Sequence, residues 1–126
     1  MGVAIERWHD VVRSRDPSRL DALLAEDVVF LSPVVHTPQR GKAITTKYLG
    51  AAVAVLGGSD FRYVGQWMGP DSAVLEFVTT IDGIEVNGVD IIGWNAEGRI
   101  DRFKVMVRPL KAIEAVRLRM AASLTG

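Results

Sequence analysis

The sequence predicts an α+β fold: helices first, then an antiparallel meander, with a further helix at the carboxyl end. Three observations carry this. Apolar residues recur at helical spacing through most of residues 3–56. Four strand-like runs separated by short turn signals fill 61–107, and consecutive strands with short turns make an antiparallel meander. Pro109 then opens a stretch with Leu110, Ile113, Val116, Met120 and Leu124 on one helical side. Helices gathered before a meander place them together on one sheet face.

Each element has its own warrant. Val3, Ile5, Trp8, Val11 and Val12 alternate with Glu6, Arg7, Asp10 and Arg13, which predicts an amphipathic first helix. Asp16-Pro17 stops it and starts another, because Asp16 can cap and Pro17 suits a first turn; Leu20, Leu23 and Leu24 supply its apolar stripe. After Asp27 the run VVFLS is β-branched and aromatic, a strand ending at Pro33. PVVHTPQRG, with two prolines, reads as an irregular bend, and Lys42 to Leu56 as a third helix ended by Gly57-Gly58. The meander strands are Phe61–Met68, Ser72–Ile81, Ile84–Asn95 and Arg99–Val107, separated by Gly69-Pro70-Asp71, Asp82-Gly83 and Asn95 to Gly98.

Composition narrows function. At 126 residues the chain fits one domain over 1–126 and needs no staple to fold. Fifteen basic against 15 acidic side chains argue against a surface built for phosphate backbones or anionic membranes. The basic series Arg99, Arg102, Lys104, Arg108, Lys111 is interrupted by Asp101 and followed by Glu114, and no pattern of aromatic interleaving supports nucleic-acid binding, so no nucleic-acid partner is expected. Without cysteine, thiolate chemistry and cysteine-held metals are excluded, and His9 and His36 lack metal-ligand spacing; no cofactor or metal is expected. The apolar run Tyr48–Ser59 is too short for a bilayer and MGVAIERWHD carries no leader pattern, so no membrane partner and a cytoplasmic setting are expected. With 48% apolar residues, mean hydropathy +0.18 and no net charge, the chain holds more apolar surface than a small core hides easily. A second copy or an apolar pocket would take up the surplus.

Strand parity picks out one carboxylate. A two-residue turn at Asp82-Gly83 pairs residues whose numbers sum to 165, placing Asp90 opposite Leu75 and Glu76 opposite Val89 on the other face. Asp90 then shares a face with Val86, Ile92, Trp94, Leu75 and Phe77, where a carboxyl should have a raised pKa and be able to donate a hydrogen bond. The structural alternatives are a cap on a bulge at Asn87-Gly88, or a pair with Arg102 or Lys104. Glu76 lies among Val74, Val78, Val89 and Ile91, so the outer face is apolar too, which suits a homodimer packed there with Glu76 in an interface ion pair. Phe61, Tyr63 and Trp67 are expected on one strand face, as core more than as a ligand box, though one polar-tipped aromatic among them at a pocket mouth would be unremarkable. His9 is expected at the surface.

Four stretches carry a resemblance: IERWHDVVRSRDPSRLDALLAEDVVFLSPV, TPQRGKAITTKYL, GVDIIGWNAEGRI and FKVMVRPLKAI. In order and spacing they resemble the nuclear-transport-factor-2-like superfamily, in its SnoaL-like, ketosteroid-isomerase-like branch, over about residues 5 to 113. The resemblance implies a cystatin-like cone of helices on a strongly curved sheet, enclosing a hydrophobic pocket, usually as a homodimer. Ketosteroid isomerases place a general-base aspartate where this chain has Ser32, an oxyanion-binding tyrosine where it has Trp8, and a protonated aspartate at the position of Asp90. Limonene epoxide hydrolases share the fold, but their charged triad would fall near Phe77, Thr79 and Val105, which carry no charge.

Two readings follow from the resemblance. In one, an isomerase or polyketide-cyclase-like lyase acts next to a carbonyl of a steroid-, terpenoid- or polyketide-like substrate. Catalytic Asp90 and Trp8 would bond the oxygen, and His36 would replace the missing base. In the other, the chain is a non-catalytic homodimeric binding module for a lipid or metabolite in the same pocket. Phe30, Ser32, Leu75, Phe77, Ile92, Phe103 and Val105 are the expected lining. A cavity well below the few hundred Å³ usual for ligand sites, closed by Trp8 and Trp94, would instead leave the fold to assembly alone.

Overall fold

A computed structural model describes residues 3–58 and 60–125. The expectations that fall on Met1, Gly2 and Ser59, at the amino terminus and at the end of the Tyr48–Ser59 run, lie outside the described residues. The amphipathic first helix forms as α1 (Val3–Ser14), burying Ala4, Ile5, Trp8 and Val11. Asp16 caps the next turn by accepting from the Ser18 backbone N–H, and a 3-10 turn over Pro17–Arg19 runs into the short helix α2 (Leu20–Leu23). Leu24 does not extend that helix. It begins β1 (Leu24–Leu31) by pairing with Ile100, so this strand starts earlier than its β-branched run suggests. The proline-bounded bend holds a two-residue strand, β2 (Gln39–Arg40), which pairs with Val29 and Phe30. α3 (Lys42–Leu56) follows, with Gly57 at its C-cap.

The meander forms as β3 (Arg62–Met68), β4 (Ser72–Ile81), β5 (Ile84–Trp94) and β6 (Ile100–Arg108), and α4 (Leu110–Thr125) closes the chain. The six strands form one curved, unclosed sheet in the order β2-β1-β6-β5-β4-β3. One expectation needs correction here: the sheet is mixed, because β1 runs parallel to β6 while every other pair is antiparallel. The long excursion through α3 and the meander brings the chain back beside β1 in the parallel sense, which no hairpin signal announces.

The hairpin register is as parity requires. Leu75 faces Asp90 and Glu76 faces Val89, with Asp82 and Gly83 both at positive φ (51° and 78°) as a two-residue hairpin turn demands. No bulge occurs at Asn87-Gly88. A bulge does occur in β3, between Tyr63 and Gly65. Tyr63 pairs with Phe77 on the inner face, but Trp67 pairs with Val74 and turns outward, where it is 58% exposed. The expectation that Phe61, Tyr63 and Trp67 share a face therefore fails, because one extra residue reverses the alternation.

One apolar cluster unites the helices with the inner face. α4 buries Ala112, Ala115, Val116 and Met120, whereas Leu110, expected on that stripe, is 82% exposed. A bidentate pair from Arg119 Nε and Nη2 to Asp82 (3.1 and 2.6 Å) ties α4 to the β4–β5 turn. Among the described residues no helix is long and apolar enough to cross a membrane.

Candidate functional site

The helices and the inner sheet face enclose an almost wholly apolar cavity. Phe30, Phe77, Phe103 and Val105 form its floor, α3 contributes Leu49, Ala52, Val53 and Leu56, and α4 contributes Val116 and Met120. Half-buried Val12, Val53, Leu56, Phe61 and Tyr63 mark the mouth, between α1, the end of α3 and the start of β3. The cavity measures about 50 Å³. The closed space is thus far below the size of a typical ligand site. Trp94 does not border it, so the two-tryptophan closure does not occur as expected.

Asp90 is the carboxylate of this cavity. It is 5% exposed, flanked across the sheet by Leu75 and Val105. Burial pushes its carboxyl up to about 7, and a hydrogen bond from Tyr63 partly opposes that rise. Neither structural alternative for Asp90 is seen. Arg102 and Lys104 sit at register positions on the opposite face, Arg102 bonding Asp101 and the Asp71 carbonyl, and Asn87 donates to Glu76 and to the Phe77 carbonyl.

A hydrogen-bond chain runs from α1 to Asp90. Trp8 Nε1 donates to the Tyr63 hydroxyl at 2.9 Å, and that hydroxyl donates to Asp90 Oδ2 at 2.6 Å. Burial first, and the Asp90 carboxyl second, hold the Tyr63 phenol well above its ordinary value, so it stays a donor. Among the described residues, Asp90 Oδ1 takes no hydrogen bond. The ring of Tyr63 is fixed edge-on by Phe61 (5.1 Å between centroids), Phe77 (6.4 Å) and His9 (5.2 Å), and Trp8 packs edge-on against Phe103 at 4.8 Å.

The predicted site residues part company here. Asp90 and Trp8 do converge, but not on a shared open point: the indole N–H expected to bond a ligand oxygen is taken by Tyr63, leaving Trp8 as the residue that positions Tyr63. Ser32 lines the cavity, yet its Oγ accepts from the backbone N–H groups of Val34 and Val35 (3.1 and 3.3 Å), closing the loop it stands in. His36 is exposed on that loop and does not line the cavity, so the two prolines around it steer it to solvent rather than to Asp90. Phe30, Phe77, Phe103 and Val105 line the cavity as expected, whereas Leu75 and Ile92 are buried by packing and do not border it. His9 is half-buried rather than free at the surface, with Nε2 3.0 Å from Gln66 Oε1. Tyr63 is the residue that sequence reasoning underrated. Parity gives no signal for it: the register beside the turn, Met68 with Ala73, would set Tyr63 opposite Val78 on the outer face, and the bulge brings it opposite Phe77 instead.

A family model described as a SnoaL-like domain matches residues 5–103. A steroid delta-isomerase from Pseudomonas aeruginosa is 34% identical, with a TM-score of 0.93 over 98% of this chain and 90% of that one. A conserved bacterial protein with a cystatin-like fold from Silicibacter pomeroyi is 35% identical, with a TM-score of 0.89 over 97% and 85%. A nuclear-transport-factor-2-like protein of unknown function from Mesorhizobium loti, 22% identical with a TM-score of 0.74 over 86% and 90%, shares the fold. No curated protein matches the chain. With most of its length covered by the family model and the same sheet and helices in its neighbours, this chain belongs to the SnoaL-like domain family, in the nuclear-transport-factor-2-like superfamily.

Proposed function

We propose that the protein binds an apolar small molecule carrying a hydrogen-bonding oxygen, held with that oxygen against Asp90. The observation that carries this is a deeply buried carboxyl with Oδ2 fixed by Tyr63 and Oδ1 open, in a cavity that otherwise offers almost no polar group. Among the described residues no cation lies in ion-pair reach of it. A neutral Asp90 donates to a carbonyl; an ionised one accepts from a hydroxyl, and a value near 7 allows both states near neutrality. The enclosed 50 Å³ admits only the end of such a molecule, so its remainder extends through the mouth or displaces the half-exposed rim side chains. A cavity of about 50 Å³ meets the size at which the fold would be left to assembly alone, so the binding reading requires the rim to open.

A second reading adds chemistry. The similarity to a steroid delta-isomerase and the position of Asp90 near neutrality support proton transfer next to a carbonyl, with Asp90 bonding the oxygen on which charge develops. With Ser32 and His36 placed as above, the proton would leave the carbon beside the carbonyl for a water at the mouth and return from it to the far end of the shifted double bond, while Asp90 bonds the oxygen. A β,γ-unsaturated 3-ketosteroid tests both readings. Binding that weakens at least about tenfold in Asp90→Ala supports the site, and migration of the double bond into conjugation supports the isomerase. Binding unchanged by the substitution overturns the site, and tight binding without migration leaves the binding module.

The outer sheet face is proposed as a self-association face. Val74, Val78, Val89 and Ile91 lie there half-buried, with Trp67 and Met106 58% and 50% exposed. Sedimentation of Val89→Lys against the parent protein checks this: a dimer that becomes a monomer is expected, and a dimer that persists places the interface elsewhere.

A further inference from the structure

α1 ends on a residue that the local backbone does not favour. Arg15 has φ 54°, and its N–H donates to the Val11 carbonyl at 2.8 Å. This is the left-handed position that closes a helix, where glycine or asparagine is preferred and a side chain is strained. Strain of this kind in a non-glycine residue invites the question of what its side chain does.

The turn sends the side chain to the cavity mouth. Arg15 Nε stands 3.5 Å from where a Cβ on Gly57 would lie, and Gly57 is one of the lining residues. The carbonyls at that end of α3 already have donors. Val53 accepts from the Gly57 N–H at 2.9 Å, and Leu56 accepts from the Gly58 N–H at 2.9 Å and from the Thr79 hydroxyl at 3.2 Å. The neighbouring arginines are engaged by acids, Arg13 with Asp10 and Arg19 with Asp16. Arg15 has no carboxylate in ion-pair reach among the described residues. Asp60, the acid at this end of the cavity, accepts from the Thr79 hydroxyl at 3.2 Å.

We infer that Arg15 recognises an anionic group at the cavity mouth, so that the ligand is an amphiphile with an oxygen at the Asp90 end, an apolar body, and a carboxylate or sulfonate at the rim. The guanidinium offers a planar fork matched to such anions, and because Arg15 is exposed its pairing at the rim is weakened by added salt. This inference rests on the cavity being a ligand site, as proposed above. It explains why an arginine occupies a position that glycine would fill with less strain.

Two dyes with one skeleton separate the two ideas: 1-anilinonaphthalene-8-sulfonate and its neutral counterpart N-phenyl-1-naphthylamine. Fluorescence titration of the parent protein, Arg15→Gly and Arg15→Lys reads the effect of the charge. Arg15→Gly is expected to weaken the sulfonate dye about five- to tenfold, a charge-assisted contact, and to leave the neutral dye within about twofold, with Arg15→Lys recovering part of the loss. Because glycine relieves the positive φ, the Tm of Arg15→Gly should equal or exceed that of the parent. Equal loss of both dyes, no loss of either, or a lowered Tm with weakened binding of both overturns the inference and leaves Arg15 as a helix-end cation. Ala52→Phe, which fills the cavity, should displace both dyes. A neutral dye that fails to bind the parent, or binds Ala52→Phe as well, overturns the ligand-site reading and this inference together. A neutral dye that binds in the cavity without any Arg15 discrimination overturns this inference alone.

Discussion

Asp90 and Glu76 sit one register row apart on adjacent strands, on opposite faces of one sheet, each ringed by valines, leucines or isoleucines. On the inner face Asp90 is closed over by helices and bonded by a phenol, and burial raises its carboxyl to about 7. On the outer face Glu76 is half-buried, and its carboxylate receives the Asn87 amide at 3.0 Å. Apolar neighbours are common to both carboxylates, and the two differ in burial and in the group that donates to them. What matters is whether water is removed and whether a donor remains.

The strongest test of this contrast is Asp90→Asn. In the unfolded chain an aspartate titrates near 3.8, and in the fold near 7. Between those values the folded protein holds a proton that the unfolded chain has released, so stability falls as pH rises through that window and levels off above it. Asparagine does not titrate. The variant should match the parent at about pH 3 and exceed it at about pH 8, by up to about 4 kcal/mol. Denaturant unfolding at the two pH values checks this, and a pH-independent difference would mean Asp90 is not the titrating group. If the protein is an isomerase, turnover should fall on the order of 100-fold in the same variant.

Gly88→Ala breaks the inner face differently. A Cβ there would lie 2.5 Å from the Phe77 ring and 2.6 Å from the Met106 carbonyl, so the ring must move toward the cavity. Thermal unfolding should show a loss of about 1–3 kcal/mol. Tyr63→Phe is smaller in stability, about 1–2 kcal/mol, but specific in sign. Since the Tyr63 bond lowers the Asp90 pKa, its removal should move the Asp90 carboxyl titration above 7, followed by carbon NMR. The facing groups make the assignment clean: Trp8 from α1, Leu75 from β4 and Val105 from β6 do not titrate. Glu76→Gln should change stability by less than about 0.5 kcal/mol, as a surface substitution does, and a larger loss would erase the contrast between the faces.

The contrast was half legible in the sequence. The Asp82-Gly83 turn fixed register, and register fixed which carboxylate faced inward, because a hairpin of known loop length has one pairing. The parallel return of β1 and the two-residue β2 were not legible, since they depend on long-range pairing and not on local turn chemistry. At the site, Asp90 was found from parity, and the resemblance brought Trp8 to the same place. The role of Tyr63 is not legible, because aromatic residues at period two usually signify core and the bulge that turns it toward Asp90 has no local signal. The role given to His36 failed because loop direction between two prolines is not encoded in residue type.

The bulge in β3 carries a consequence for how such a chain can change. Tyr63 bonds Asp90 while Trp67 lies outside, and a single inserted residue separates the two fates. Deleting Val64 would restore strict alternation, and either the indole would be carried to the inner face or the phenol to the outer one. One codon thus stands between two division schemes for the same aromatic residues, and a lineage could exchange cavity chemistry for surface chemistry without substituting either aromatic residue.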